Sequence, residues 1–488
     1  MKRQLAKMSM TETQEYEILI GLEIHCQLTS VPTKLFCSCS SDYREKAPNS
    51  VICPVCMGLP GTLPVLSRSA IEKGLMLALA LECTPVTRLI FYRKNYFYPD
   101  LPKNYQITQY DKGGAFPLAY NGTIKISDGH SIPITRINLE EDPGRLTYQG
   151  SIQTSPYALV DYNRAGVVLA EVVTAPELRT PKEARLALES VQAILEHLGS
   201  FESTLDGSIR CDANISLARG NRVEVKNITS FKDVARALTF EITRQRGLLS
   251  KGIPIKMETR HWDEKRRITV SLRVKEGEAE YRYFPDPDLL PIEISKTELS
   301  ELKAAIPELP ESRAKRFVLD FGINEETAKT LVRGKGLADL FEESSKEFKN
   351  YDKLAHLLSA DLLGVLNRSE IDLNDTKITP KHILRILKLE ADGVISGPAA
   401  RDLVTQLVNT GDLPSHIAEE KTKITDKKLL EAEIHKAFMN APQAVNDAKT
   451  NENAINYLLG IVMGLTKGRA DPKETLTMIK KMLEKSRQ

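Results

Sequence analysis

The sequence predicts an α+β protein in which an antiparallel-sheet domain is followed by all-α modules. Three observations carry that prediction. Up to about Pro291 the pattern is short β-prone runs broken by Gly, Pro and Asn, with two amphipathic helices embedded. Beyond "PDPDLLPIEI" it becomes almost wholly helical. At 488 residues the chain is too long for one core, so about three domains are expected. We place a short flexible N-terminus at 1–16, a sheet domain at 17–294, a helical domain at 295–410 and a small helical tail domain at 411–488.

The elements follow in chain order. "IGLEIHCQL" reads as a strand, and its period of two sets Glu23 and His25 on one face, Ile24 and Cys26 on the other. A carboxylate beside an imidazole suits a cation or a proton-transfer site, although a solvent-facing edge strand would read the same way. In "TPKEARLALESVQAILEHLG", Thr180 caps a helix, Pro181 fills its first turn, Glu183 completes a capping box and Gly199 stops it. Leu188, Val191, Ile194, Leu195 and Leu198 give it an apolar side. "SFKDVARALTFEITRQ" groups Phe231, Val234, Ala235, Leu238 and Ile242 in the same manner. After Ile294, Ser295 with Glu298, Thr379 with Pro380, and Asp471 with Pro472 mark helix starts. "NTGDLPSHIAEEKTK" reads as a hinge between helical modules.

Composition narrows the function classes. The chain is 41% hydrophobic and 27% charged with a formal charge of +2, so contact with nucleic acid must come from local patches or partner subunits. No apolar run approaches the roughly 20 residues of a membrane helix. The leader "MKRQLAKMSMTETQE" has neither an apolar core nor a small-residue cleavage site. Seven cysteines, an odd number without an export signal, point to reduced thiols and a cytoplasmic location, or an organellar matrix in a eukaryote.

Two groups of residues carry chemistry. In "FCSCSSDYREKAPNSVICPVC", Cys37, Cys39, Cys53 and Cys56 form two chelating pairs across a polar loop. Four thiolates saturate a tetrahedral zinc ion, so this knuckle (37–56) would be structural. Cys26, Cys83 and Cys211 sit in apolar runs and read as small buried side chains.

The second group is acidic. Glu171 stands alone in "AGVVLAEVVTAP", which reads as a strand covered on both faces, where an unpaired carboxylate costs several kcal/mol. "SIRCDANISL" puts Arg210, Asp212, Asn214 and Ser216 on one face, "RVEVKNITSF" puts Glu224 beside Lys226, and "INLEEDPGR" adds Glu140, Glu141 and Asp142. Each alone could be a wet strand face. Together they offer the oxygen-rich ligand set of Mg²⁺, and with Lys226, Arg210 and Arg164 nearby they suit phosphoryl transfer from a nucleotide. Neither a GxxxxGK[ST] loop nor a GxGxxG fingerprint occurs. The aromatic-basic stretch "FYRKNYFYPDLPKNYQITQY", with Lys94, Tyr96, Tyr98 and Lys103, is a candidate for an RNA end, or equally a Tyr-rich core lining.

These segments resemble the B subunit of aspartyl/glutamyl-tRNA amidotransferases. The match runs in family order through "IGLEIH", "CPVCMGLPGTLPVL", "RKNYFYPDLPKNYQITQYD", "LEEDPGR", "VDYNRAGVVLAEVV", "GSIRCDANIS", "VEVKNITSF", "TRHWDE" and "EYRYFPDPDLLP", and more loosely through "GVISGPAARDLV" and "YLLGIVMGLTKGRADP". The resemblance implies a cradle domain related in fold to glutamine synthetase, with a helical domain and a tRNA-gripping tail. It implies ATP- and Mg²⁺-dependent phosphorylation of the side-chain carboxylate of misacylated Glu-tRNA(Gln) or Asp-tRNA(Asn). Ammonia channelled from an A subunit then displaces phosphate, in a heterotrimer that includes a C subunit. The family's metal cluster falls on Glu23, His25, Glu140, Glu171 and Glu224, with Asp212 a weaker member. The pattern departs at Asn138 and Tyr148, where the family usually has histidine, at Pro143 and at Val168.

Two other readings stay open on the sequence. One is a zinc-stabilised RNA-binding protein without catalysis. The other is a stand-alone amide ligase acting on free glutamate, which would not need the helical tail.

Overall fold

A computed structural model describes residues 16–112, 115–126, 129–150, 155–202, 207–217, 220–228, 230–274, 281–413, 424, 426–448 and 451–485. Residues 1–15 of the expected flexible terminus, and most of the expected hinge after Leu413, lie outside these. The chain divides into two units, Met1–Pro310 and Glu311–Gln488.

The first unit is organised by a nine-stranded sheet. In chain order its strands are β1 (Ile18–Gln27), β2 (Thr84–Pro85), β3 (Ala119–Lys125), β4 (Ser131–Glu141), β5 (Val168–Thr174), β6 (Ile209–Leu217), β7 (Val223–Ile228), β8 (Glu258–Asp263) and β9 (Ile268–Val274). Their spatial order is β9-β8-β7-β6-β1-β5-β4-β3-β2. All pairs are antiparallel except β7 with β8, so the sheet is mixed. That one parallel pair is spanned by a helical crossover, the connection parallel neighbours require.

Three helices, α1 (Arg68–Ala80), α2 (Pro181–His197) and α3 (Phe231–Leu249), contribute to the core of this unit. The capping box of α2 is formed: Thr180 Oγ1 accepts from Glu183 N, and the Glu183 carboxylate accepts from Thr180 N. Helix α1 adds to the two helices expected here. It sits close enough to the sheet that a Cβ on Gly74 would lie 2.9 Å from a Leu139 methyl, and its small residues give a weak amphipathic signal. The apolar half of every central strand is buried beneath the helices: Ile20, Leu22, Ile24, Val168, Ala170, Val172, Ala213, Ile215, Val223 and Val225. The strand that carries Glu171 is covered on both faces, as expected: Leu169 and Val173 share the Glu171 face and are buried too, while Glu171 itself is half-buried.

Helix α4 (Lys296–Ala304) follows the change to helical character at Ser295, whose side chain accepts from Glu298 N. It belongs to the first unit, because Leu299, Leu302, Ile306 and Leu309 pack on the sheet's core. The second unit holds two apolar cores, one within residues 314–413 and one within 424–483. The Ser396 hydroxyl, which caps the helix Gly397–Thr410, also donates to Gly468 O and so ties these two cores together. The last helix, Pro472–Lys485, starts as expected, with Asp471 Oδ1 accepting from Lys473 N and Glu474 N.

Candidate active site and zinc knuckle

The sheet face away from the helices collects the acids, and strand register decides which of them meet. Across β1 and β5, His25 stands opposite Glu171; across β1 and β6, Glu23 stands opposite Asp212 and His25 opposite Arg210. Asn138 of β4 faces Glu171, and Asn214 of β6 faces Glu224 of β7. The period of two then directs every one of these side chains to the face away from the helices.

Two subclusters result. In the first, carboxylate oxygens of Glu23, Asp212 and Glu224 lie within 4.8 Å of one another, a spacing that a hard cation with oxygen ligands would fit. Asn214 Nδ2 donates to Glu23 Oε1 at 2.8 Å, and Thr259 Oγ1 donates to Glu224 Oε2 at 3.0 Å. Lys226 Nζ lies 2.6 Å from Asp212 Oδ2 and 3.4 Å from Glu224 Oε1. Burial disfavours the Lys226 ammonium, but Asp212 and Glu224 outweigh it and raise the pKa, so the lysine is cationic.

In the second subcluster, His25 Nδ1 and Glu140 Oε1 are 3.0 Å apart, and Asn138 Nδ2 donates to Glu171 Oε2 at 2.8 Å. Burial works against the His25 imidazolium, yet the hydrogen bond and charge of Glu140, with Glu171 and Asp212, raise its pKa to about 9. The Glu171 carboxyl is pushed up by burial and by the Glu140 charge beside it. Asn138 Oδ1, Asn214 Oδ1 and Arg210 Nε are buried here without a partner among the described residues, which fits a face built to hold further polar ligands.

The basic residues singled out in the sequence are placed as follows. Arg210 Nη2 is 2.5 Å from Asp142 Oδ1, and Arg164 donates to the carbonyls of Pro143 and Gly144 with its Nε 3.6 Å from Asp142 Oδ2. Gln27 Nε2 also donates to Asp142 at 2.7 Å. Asp142 is thus a buried node that orients two arginines, a role its place in an acidic triplet does not reveal. Lys103 pairs with Glu141. Lys94 Nζ lies 4.9 Å from the Tyr281 ring centre and 5.6 Å from that of Tyr96, while Tyr98 is exposed. Tyr110 and Tyr283 stack at 4.3 Å beside these rings, joining two segments far apart in sequence. Thr259, missed in the sequence, has one available signal: its alternation with His261 in "ETRHWD".

In the knuckle, one thiol sulfur from each of Cys37, Cys39, Cys53 and Cys56 lies within 4.8 Å of the other three, the arrangement a tetrahedral zinc ion requires. The pKa of the Cys56 thiol is lowered to about 4, chiefly by its hydrogen bond from Cys37 and with help from the buried Lys34 ammonium 3.7 Å away. Cys26, Cys83 and Cys211 are buried and free.

Residues 18–300 match the model of the GatB/GatE catalytic domain, and residues 339–483 match the model of the GatB domain. The chain belongs to the GatB family. Among curated relatives it resembles the B subunit of the aspartyl/glutamyl-tRNA(Asn/Gln) amidotransferase of Saccharolobus solfataricus, 48% identical over 469 residues, covering 96% of this chain and 99% of that one. The protein of the same name from Carboxydothermus hydrogenoformans is 44% identical over 485 residues, covering 97% and 100%. That from Thermotoga maritima is 43% identical over 483 residues, covering 96% and 99%. The GatB catalytic-domain match spans the whole acidic face and the knuckle, while the second match falls within the helical unit.

Proposed function

We propose that this chain is the subunit of a tRNA-dependent amidotransferase that activates a side-chain carboxylate with ATP and converts it to an amide. The observation that carries this reading is the meeting of Glu23, Asp212 and Glu224 beside Lys226 on one sheet face. A module that only bound RNA would gain nothing from gathering three acids on one partly buried face.

A carboxylate is a poor electrophile until one of its oxygens leaves as phosphate. In the first step a carboxylate oxygen of the tRNA-linked Glu or Asp bonds to the γ-phosphorus of ATP, and the bond to ADP breaks. In the second, ammonia attacks the carbonyl carbon, inorganic phosphate leaves, and the nitrogen loses a proton. Mg²⁺, when bound, neutralises phosphate charge. Glu23, Asp212 and Glu224 are the residues we assign to hold it, with His25, Glu140 and Glu171 forming the rest of the set. Lys226, Arg164, Arg210 and Asn214 orient phosphate and substrate oxygens. Lys94, Tyr96, Tyr98 and Lys103 receive the aminoacyl end of the RNA by charge and ring contacts.

The knuckle cysteines hold a structural Zn²⁺, and the helical domain and tail grip tRNA(Gln) or tRNA(Asn). Ammonia comes from an A subunit, with a C subunit completing a heterotrimer. Seven free cysteines fit a reducing, cytoplasm-like compartment, and no helix among the described residues is long and apolar enough to cross a membrane. The test is a transamidation assay with purified A, B and C subunits, ATP, and each mischarged tRNA in turn. Formation of Gln-tRNA(Gln) or Asn-tRNA(Asn) that depends on this chain is expected. Equal amidation without it would overturn the reading.

A further inference from the structure

Lys34 is fully buried, yet no carboxylate among the described residues lies within ion-pair reach of its ammonium. A cation in that position needs a counter-charge and well-placed acceptors. Its Nζ has three partners: Val51 O at 2.9 Å, Tyr162 O at 3.3 Å and Cys56 Sγ at 3.7 Å. Two of these belong to the knuckle and the third does not. Tyr162 O also accepts from Ala165 N at 3.0 Å and so closes the turn 162–165, which carries Arg164 just ahead of β5.

A second set of bonds joins the same two segments. Asn49 Oδ1 accepts from Tyr162 N at 2.7 Å, and Asp161 Oδ1 accepts from Asn49 N at 2.9 Å and Asn163 N at 3.0 Å. Asn163 Oδ1 accepts from Val51 N at 2.7 Å, while its Nδ2 donates to Ala47 O at 2.8 Å. The knuckle loop thus holds both the closing carbonyl and the backbone of the turn. Arg164, presented by that turn, reaches the carbonyls of Pro143 and Gly144 beside Asp142, the node that also holds Arg210.

We propose that Lys34 is a positioning residue that couples metal in the knuckle to the placement of Arg164. Four thiolates around one Zn²⁺ leave two negative charges, and the Lys34 ammonium offsets one of them from within the core. The same ammonium pins the carbonyl that closes the Arg164 turn. Zinc binding and ordering of the turn therefore favour each other, and the dependence runs both ways. The inference rests on the roles proposed for the knuckle zinc and for Arg164.

Two variants test the coupling. Lys34→Met keeps the bulk of the side chain and removes the ammonium, whereas Asp161→Ala lies outside the knuckle and cuts the clasp from the turn side. Zinc affinity of the full chain is measured by competition with a chelator. Hydrogen exchange is followed in the zinc-loaded chain at residues 158–167, with β6 as reference. Lys34→Met should weaken zinc binding about tenfold and speed exchange in the turn about tenfold, leaving β6 unchanged. Asp161→Ala should speed exchange in the turn and weaken zinc several-fold, the reciprocal effect. Unaltered zinc affinity and exchange in Lys34→Met overturn the proposal. So does unchanged zinc affinity in Asp161→Ala, which decides the matter alone if Lys34→Met does not fold. In the assembled enzyme supplied with ammonium, Lys34→Met should lower kcat/KM about tenfold. A loosened turn with unchanged kcat/KM overturns the role given to Arg164 and leaves the coupling standing. Failure of the unaltered chain to bind zinc overturns the knuckle assignment and the coupling together.

Discussion

His25 on β1 and Glu140 on β4 meet at 3.0 Å although β5 lies between their strands. The two backbones are separated by two strand spacings, about 10 Å, so the contact is made by side chains arching over β5. Both residues project from the face away from the helices, on which the trio of Glu23, Asp212 and Glu224 also lies.

Glu224→Gln keeps the shape of the side chain and removes its charge. ATP hydrolysis dependent on misacylated tRNA should fall by at least about 100-fold, with tRNA affinity changed no more than a few-fold. Activity near the unaltered level would remove Glu224 from the site.

Lys226 partly offsets the charge of Asp212 and Glu224, two of the acids assigned to the metal ion. Lys226→Met should therefore tighten Mg²⁺ binding, measured by calorimetry on the free enzyme, while lowering kcat through loss of a cation near phosphate. Weaker Mg²⁺ binding in the variant would show that the lysine supports the metal rather than competes with it.

Cys56→Ser removes one of four knuckle ligands. Zinc content, measured by elemental analysis, should fall from one ion per chain, and Tm should drop by roughly 5 °C. Unchanged zinc and Tm would leave the knuckle as four reduced thiols.

Gly122 on β3 packs against the chain that follows α1. A Cβ there would lie 2.1 Å from Cys83 Sγ and 2.7 Å from Leu81 O, and the second neighbour is backbone that cannot rotate away. Gly122→Ala should destabilise the first unit by about 3 kcal/mol, read by urea denaturation. A loss below about 0.5 kcal/mol would mean that this strand edge yields easily.

Much of the chain is legible locally. The alternation in "SIRCDANISL" correctly divides its residues between two faces, and "TPKE" announces a capped helix. The paired cysteines of the knuckle need only a short loop to converge. Other features are not legible. Glu241 belongs to α3, yet it is fully buried beneath β8 and β9, where it accepts from Thr269 Oγ1 at 2.9 Å and pairs with Arg260 of β8 at 3.5 Å. Helical periodicity alone could not assign that face to an ion pair, because the partners come from another element.

The sequence by itself determined the strand faces, the helix starts, the thiol pairing and the set of acids available for a metal, since each depends on spacing within a few residues. The tertiary structure decided which acids share a centre. It brought Asp212 to Glu23 and Glu224, joined His25 to Glu140, and turned Arg164 and Arg210 toward Asp142. The reason is the order of strands in the sheet: β6 and β5 flank β1 although they follow it by well over a hundred residues. That neighbourhood is set by burying the apolar halves of all three strands together, and no local pattern encodes it.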